Sequence, residues 1–220
     1  MIALQAMALN VMERGTMTQQ ATTSTTLVGA LWPSERVNTL LRNVILALVG
    51  TALLTVSAKI QVPFWPVPMT MQTFAVLVIG MAYGWRLGAA TVLLYLVQGA
   101  VGLPVFAAGG GIAYFAGPTG GYLAGFLLAA ALVGGLAERG WDRSVLPTVA
   151  AMFLGTVVIF GFGVAWLTIF LANAKALTLD AAFTAALASG VTPFLAGAVA
   201  KIALAAAVLP FAWSLVKRFR

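Results

Sequence analysis

The sequence predicts an all-α integral membrane protein, a bundle of six transmembrane helices with both termini in the cytoplasm. Of its 220 residues, 62% are hydrophobic and 8% are charged, whereas soluble domains are about half apolar and about a quarter charged. The mean hydropathy is +1.03. From Leu40 onward, apolar runs alternate with short polar or Gly- and Pro-containing segments. The net charge of +7 comes from basic residues at the ends of these runs, which favours membrane topology over nucleic-acid binding.

The first 37 residues differ in composition from the rest of the chain. The segment 17–26 (MTQQATTSTT) is rich in Thr and Gln and has no apolar period. Such a composition buries too little apolar surface to fold alone. We therefore predict a disordered polar leader over 1–37 and a six-helix transmembrane, substrate-binding domain over 38–220.

Six apolar runs make up the predicted spans. They are 40–58, 69–83, 87–101, 119–137, 146–171 and 193–216. Pro193 suits the first turn of the last span, where its missing N–H would have no partner anyway. The second and third spans are shorter than the roughly 20 residues that a membrane crossing needs. A re-entrant hairpin with four full spans is therefore an alternative.

The distribution of basic residues favours six spans over that hairpin. Six spans place nine Arg and Lys on one side of the membrane and two on the other. The nine are Arg14, Arg36, Arg42, Arg86, Arg139, Arg143, Lys217, Arg218 and Arg220, and the two are Lys59 and Lys175. This asymmetry puts both termini in the cytoplasm and the chain in the cytoplasmic membrane. A hairpin would instead move Arg86 to the side of Lys59.

The inventory of reactive side chains argues against an enzyme. The chain has no His and no Cys, and its five carboxylates lie in the leader or in predicted loops. No Gly-Lys dipeptide is present, which excludes a P-loop of the GxxxxGK type. A membrane enzyme for lipid or isoprenoid substrates would need clustered acids, His or metal ligands. We therefore expect no catalysis, no metal, no cofactor and no energy source within this chain.

One charge, Lys201, lies inside a predicted span, eight residues past its start. That depth is about 12 Å, and a Lys side chain reaches only part of it. Placing an ammonium there costs a few kcal/mol. We therefore predict that Lys201 binds a ligand with one negative charge, most simply a carboxylate, that enters from outside. A lysine that extends to lipid headgroups, or one deprotonated within the bundle, is the alternative.

Other polar or permissive residues lie at the same predicted depth and are candidate ligand contacts. They are Trp65, Thr70, Gln72, Tyr95, Gln98, Thr119, Gly120 and Tyr122. Tyr95 and Gln98 are three residues apart and share a helix face. Each polar group has an alternative as an interhelical hydrogen bond, and Trp65 has one in the interfacial aromatic belt. Gly120 either admits a ligand close to the backbone or begins a helix.

Small residues recur at four-residue spacing in two spans. Ala47, Thr51 and Thr55 form one stripe, and Gly121, Gly125 and Ala129 form another. Such stripes allow close contact between helices. We predict internal packing for the second stripe. For the first stripe, internal packing and a partner interface remain equal alternatives.

Three strings resemble one family closely. VPMTMQT (67–73), GMAYGWRLGAATVLLYLVQGAVGLPVFAAGGG (80–111) and GPTGGYLAGF (117–126) are similar to the BioY family, the biotin-binding S components of energy-coupling-factor (ECF) transporters. The resemblance implies a six-helix S component that binds biotin near the outer face. It also implies a transmembrane coupling subunit and a pair of cytoplasmic ATPases, although some family members act without a dedicated set. The stripe on the first span matches the place where S components meet the coupling subunit.

The resemblance extends to the last span, with one departure. The family pattern after Pro-Phe is an Asp followed three residues later by a Lys. Here Lys201 is kept, but the Asp position is Ala198. Biotin suits the predicted site, with a carboxylate for Lys201, an apolar body and a hydrogen-bonding ureido ring. The sequence thus predicts biotin uptake. The alternatives are an S component or facilitator for another small vitamin or carboxylate, and a scaffold without a ligand.

Overall fold

A computed structural model describes residues 26–33 and 38–218 and shows a mostly helical chain. The α-helices of these residues are α1 (Leu27–Leu31), α2 (Thr39–Lys59), α3 (Gln72–Ala100), α4 (Gly120–Glu138), α5 (Val145–Lys175), α6 (Leu179–Gly190) and α7 (Leu195–Arg218). Two short antiparallel strands, β1 (Gln61–Val62) and β2 (Met69–Thr70), connect α2 to α3. Single 3-10 turns occupy Ile112–Ala116 and Thr192–Phe194.

Helix α3 consists of two antiparallel arms, 72–83 and 85–100. Gly84 between them has φ +82° and ψ 173°, a conformation outside the helical region that favours glycine. A Cβ on Gly88 would lie 2.9 Å from the Cα of Gly80, whereas eight residues of straight helix span about 12 Å. The arms are the second and third predicted spans. Their turn lies against Gly134 and Glu138 near the end of α4, so both arms run along α4.

Five helical stretches of the described chain are long and apolar enough to cross a membrane. One of them is α3, which folds back at Gly84, and another comprises α6, the turn at Thr192–Phe194 and α7 together. The all-α membrane fold predicted from the sequence is therefore present. The order of predicted spans is kept, with α2, the two arms of α3, α4, α5 and α7 in their places.

The segment before the last span differs from the prediction. The predicted fifth and sixth spans leave 172–192 unassigned, and α6 lies there. Helix α5 continues to Lys175 and ends at Ala176, which adopts the left-handed conformation. The Thr178 side chain then accepts a hydrogen bond from Ala181 N and caps α6. Because α6 is apolar and Ala-rich, its composition resembles that of the flanking spans, which hides its boundaries.

Part of the segment predicted as a leader is helical in the described chain. Residues 26–33 include helix α1, whose N-cap Thr26 accepts from Gly29 N at 3.1 Å. Leu27 of α1 is buried in a small cluster with Trp213 and Val216 of α7. Residues 1–25 and 34–37 of the predicted leader lie outside the described residues. The division at residue 37 into two domains stays a prediction.

The small-residue stripe of α4 packs inside the bundle, as predicted. A Cβ on Gly121 would lie 2.3 Å from Trp166 Cβ, and one on Gly125 would lie 3.0 Å from Ile159 Cα. Ala129 has no exposed surface. Helix α4 therefore contacts α5 at a distance that only small residues permit.

The stripe of α2 lies at the edge of its buried face. Thr51 is 3% exposed and donates a hydrogen bond to Leu48 O of the same helix, so its side chain packs within the chain. Ala47 and Thr55 are half-buried. The opposite face of α2 is apolar and exposed. A partner contact at Ala47 and Thr55 stays a prediction.

Basic residues of the described chain separate to the two ends of the bundle. Lys59 and Lys175 end α2 and α5, at the same end as the loops 60–71 and 101–119. The other six at helix ends lie at the opposite end, and they are Arg42, Arg86, Arg139, Arg143, Lys217 and Arg218. Lys201 alone of the described basic residues lies within a helix of the bundle, away from both ends.

Candidate ligand-binding site

A cavity opens between α3, α4, α5 and α7 at the end of the bundle that carries Lys59 and Lys175. Its empty volume is about 800 Å³, part of which is open to the surroundings. Residues of the 60–71 and 101–119 loops, including Val67 and Phe106, complete its wall. Such a cavity, mostly apolar with a few polar groups, is the usual form of a small-molecule site.

Lys201 supplies the one positive charge among the described residues that line this cavity. Its Nζ donates hydrogen bonds to the backbone O of Thr70 at 2.7 Å and to Oγ1 of Thr73 at 2.9 Å. Both acceptors are neutral, and no acidic residue lines the cavity in the described chain. An ammonium has three N–H donors, so one remains without a partner among the described residues. A ligand carboxylate would satisfy this donor and neutralise the charge.

Ala198 lies one turn before Lys201 on α7 and also lines the cavity. Residues three apart on a helix share a face. The methyl group of Ala198 therefore occupies the position from which an acidic side chain would approach Lys201. The departure identified in the sequence thus falls inside the cavity.

Gln72 lies at the start of α3, and its side-chain amide is hydrogen-bonded to Tyr95. Gln72 Nε2 donates to Tyr95 Oη at 2.6 Å, and Tyr95 Oη donates to Val105 O at 2.9 Å. Thr70 Oγ1 donates to Gln72 Oε1 at 3.4 Å. Gln72 lines the cavity, while Tyr95 has no exposed surface and lies outside the lining. Tyr95 therefore orients the amide.

Aromatic side chains form much of the remaining wall. They are Phe74, Phe106, Tyr114, Tyr122, Phe126, Phe160 and Phe194. Phe106 packs against Tyr95 with ring centroids 5.4 Å apart and against Tyr114 at 4.8 Å. Tyr122 Oη donates to Gly190 O at 2.8 Å, which joins α4 to the end of α6. These rings offer an apolar surface to the body of a ligand.

The comparison with known families decides what kind of chain this is. The model of the BioY family matches residues 18–218. The chain belongs to the BioY family.

Curated relatives of this BioY family member are named as biotin transporters. The "Probable biotin transporter BioY" of Pyrococcus horikoshii is 37% identical over 165 residues, which cover 74% of this chain and 91% of that protein. The "Biotin transporter BioY" of Thermotoga maritima is 42% identical over 125 residues, 56% of this chain and 73% of that protein. That of Rhizobium etli is 38% identical over 155 residues, 67% and 78% of the two chains.

A solved structure has the same fold as this BioY chain. It is the crystal structure of "the S-component for biotin from an ECF-type ABC transporter". The TM-score is 0.63 with 23% sequence identity, over 79% of this chain and 91% of that chain. The predicted fold class, a helical membrane bundle of the S-component type, is confirmed.

Five of the nine residues predicted as ligand contacts line the cavity of this BioY protein. They are Thr70, Gln72, Thr119, Tyr122 and Lys201. Whether each contacts a ligand stays a prediction.

The other four predicted contacts lie outside the cavity lining. Tyr95 stands behind Gln72. Gln98 lies two residues before the end of α3, and Gly120 is packed so closely that a Cβ would lie 1.9 Å from Phe115 O. Trp65 is 73% exposed, and Lys175 Nζ lies 4.8 Å from the centroid of its ring. Sequence spacing predicts which residues share a depth and a helix face. It does not predict which of those residues lies against the cavity and which lies behind another side chain.

Several lining residues were not predicted. Thr156 is a hydroxyl in the middle of an apolar run, a signal that the sequence does contain. Phe160, Phe194 and Tyr114 carry no such signal, because aromatic residues occur along the whole chain.

Proposed function

We propose that the chain captures biotin in this cavity and serves as the substrate-binding subunit, the S component, of an ECF-type biotin transporter. The observation that carries the proposal is the ammonium of Lys201, which faces a mostly apolar cavity with one N–H donor unpaired among the described residues. The names of the curated relatives support biotin as the substrate. Those relatives are transporters, so the chain is a transport protein and not an enzyme.

Biotin matches the cavity in three parts. Its carboxylate accepts the third hydrogen bond of Lys201, and this hydrogen bond is charge-assisted. Its bicyclic ring and aliphatic tail pack against the aromatic wall, including Phe126 and Phe160. Its ureido ring exchanges hydrogen bonds with amide and hydroxyl groups such as Gln72 and Thr119.

The charge distribution supports an orientation in the cytoplasmic membrane. The end with six described basic residues faces the cytoplasm, which places both termini there. The cavity, at the end of Lys59 and Lys175, then faces outward and receives biotin from outside the cell.

The energy for release into the cell comes from partners. No acidic side chain lines the cavity in the part of the chain described, so the site holds no carboxylate to couple to protons or sodium. A transmembrane coupling subunit and cytoplasmic ATPases supply it, and the exposed apolar face of α2, flanked by Ala47 and Thr55, is the surface on which the coupling subunit docks. Uptake by the chain alone, or by an oligomer of it, is the other arrangement.

A vitamin screen on the purified full-length chain in nanodiscs tests the substrate. We expect saturable binding of biotin and no competition from thiamine, because a cation is repelled by Lys201. Tighter binding of another carboxylate vitamin, such as lipoate, would transfer the proposal to that ligand. A complete lack of saturable biotin binding at every pH tried would refute it. Biotin uptake in cells with and without the ATPases then separates the two arrangements.

A further inference from the structure

The ammonium of Lys201 is held by two acceptors that belong to one rigid unit. Thr73 lies in the first turn of α3, and Thr70 ends strand β2 just before it. Strand β2 pairs with β1, and Met71 N donates to Ile60 O at 3.0 Å, so the backbone on both sides of Thr70 is fixed. Thr73 is also β-branched, which restricts rotation about its Cα–Cβ bond and therefore the position of its hydroxyl group.

The Lys201 side chain itself has no such constraint. A lysine has four rotatable bonds and a compact charge whose donors point wherever acceptors are provided. Two acceptors at 2.7 Å and 2.9 Å select one position of Nζ and leave one donor direction unused. Only one of the two acceptors, Thr73 Oγ1, is a side chain.

We infer that Thr73 is a positioning residue, which fixes the Lys201 ammonium so that this site selects ligands with a free carboxylate over their neutral derivatives. The inference rests on the proposed function and deepens it. Both partners of Lys201 are neutral and Ala198 contributes only a methyl group, so nothing within the described lining neutralises the charge. A carboxylate supplies the missing negative charge. An ester or amide offers an acceptor without that charge, so the buried ammonium would stay without a countercharge.

Two substitutions of the same kind test this role. Thr73→Val removes the side-chain acceptor of Lys201 at nearly constant volume and leaves the backbone acceptor, Thr70 O, in place. Thr156→Val is the matched control, because Thr156 also lines the cavity but donates its hydroxyl to Met152 O of its own helix at 2.8 Å. Thr73→Ser keeps the hydroxyl and should restore the function. Biotin and biotinamide, its neutral amide, are the probes, titrated against each full-length variant in nanodiscs.

We expect Thr73→Val to weaken biotin binding about tenfold, the size of one lost charge-assisted hydrogen bond or of lost preorganisation. Biotinamide should lose about twofold or less, so that the preference for the carboxylate falls. Thr73→Ser should keep the wild-type preference within about twofold. Thr156→Val should leave the ratio of the two affinities unchanged.

Three results would overturn the inference. The first is an equal loss for both probes in Thr73→Val, which indicates a structural role. The second is unchanged or tighter biotin binding in that variant, and the third is no rescue by serine. If Thr73→Val does not melt cooperatively, Thr73→Ala takes its place with the same expected ratio. Wild-type protein that binds neither probe refutes the proposed function itself, whereas wild-type binding with an unaltered ratio in Thr73→Val refutes this inference alone.

Discussion

Lys201 Nζ lies 2.9 Å from Oγ1 of Thr73, a residue 128 positions earlier in the chain. This hydrogen bond connects the last helix to the first turn of α3. The backbone O of Thr70 completes the connection at 2.7 Å. Two segments that are far apart in the sequence thus meet at the cavity. The position of Lys201 Nζ, which carries the only charge in the described lining, depends on both of them.

Tyr95→Phe should weaken biotin binding severalfold although Tyr95 lies outside the cavity lining. The substitution removes the hydroxyl that accepts from Gln72 and donates to Val105 O. Since these groups are buried, the loss should also reduce the free energy of unfolding by about 1–3 kcal/mol. Tyr83→Phe is the control. Its hydroxyl bonds to Leu46 O at the far end of the arm, so it should cost stability but not biotin affinity. Calorimetric titration and thermal melts measure both, and equal affinities for the two variants would contradict the role of Tyr95.

Lys59→Met should accelerate the release of biotin. Lys59 Nζ donates to Phe106 O at 2.6 Å, and the Phe106 side chain forms part of the cavity wall. Without this bond the 101–119 loop is less firmly held at the cavity wall, and we expect the dissociation rate to rise about three- to tenfold. Stopped-flow displacement of a fluorescent biotin measures it. Lys59→Arg keeps a donor and should release biotin nearly as slowly as wild type. A dissociation rate unchanged in Lys59→Met would show that the loop does not depend on this contact.

The fold was predictable where a single physical signal dominates. Hydrophobic runs mark the helices, and the tight turn at Gly84 separates the two short arms of α3 because glycine adopts φ +82° without a steric penalty. Helix α6 was not predicted as a separate helix, because its sequence is as apolar as the spans around it. Helix α1 was not predicted either, because its few apolar residues are stabilised by Trp213 and Val216, almost the whole chain away.

The site was predictable in part for the same reason. A charge in an apolar run, Lys201, is visible in any sequence, and the structure places it in the cavity. The sequence does not distinguish the roles of Tyr95 and Gln72. Both are predicted at the same depth, and the sequence does not show which of them lies nearer the cavity. That order is set by the packing of the two arms of α3, a tertiary property.

Asp142→Asn should stabilise the protein near neutral pH. Asp142 lies between α4 and α5, is fully buried and accepts from the indole N–H of Trp213 with one oxygen, while its Oδ1 has no partner in the described chain. Burial raises the pKa of this carboxyl above its ordinary value of 3.8. The folded protein therefore keeps the proton longer than the unfolded chain, and stability falls as the pH rises above 3.8 towards the folded pKa.

Melting temperatures measured from about pH 4 to pH 7.5 check this dependence. The Asn variant keeps an acceptor for Trp213 but carries no charge, so the fall in stability with rising pH should shrink. Asp180→Asn removes an exposed carboxylate at the start of α6 and is the control. It should leave unchanged the fall in stability with rising pH that Asp142 causes. A wild-type protein whose stability rises over this range by the same amount as that of Asp142→Asn would refute the assignment.

The most direct test of the central claim is the affinity of Lys201→Met for biotin, measured by calorimetric titration beside wild type. Methionine keeps an unbranched chain of similar length without the charge, and its melt should remain cooperative or shift upward because a charge without a counterion is removed from the bundle. We expect biotin binding to weaken about a hundredfold or more, as for the loss of a partly buried charged contact. Wild-type affinity in this variant would contradict the account.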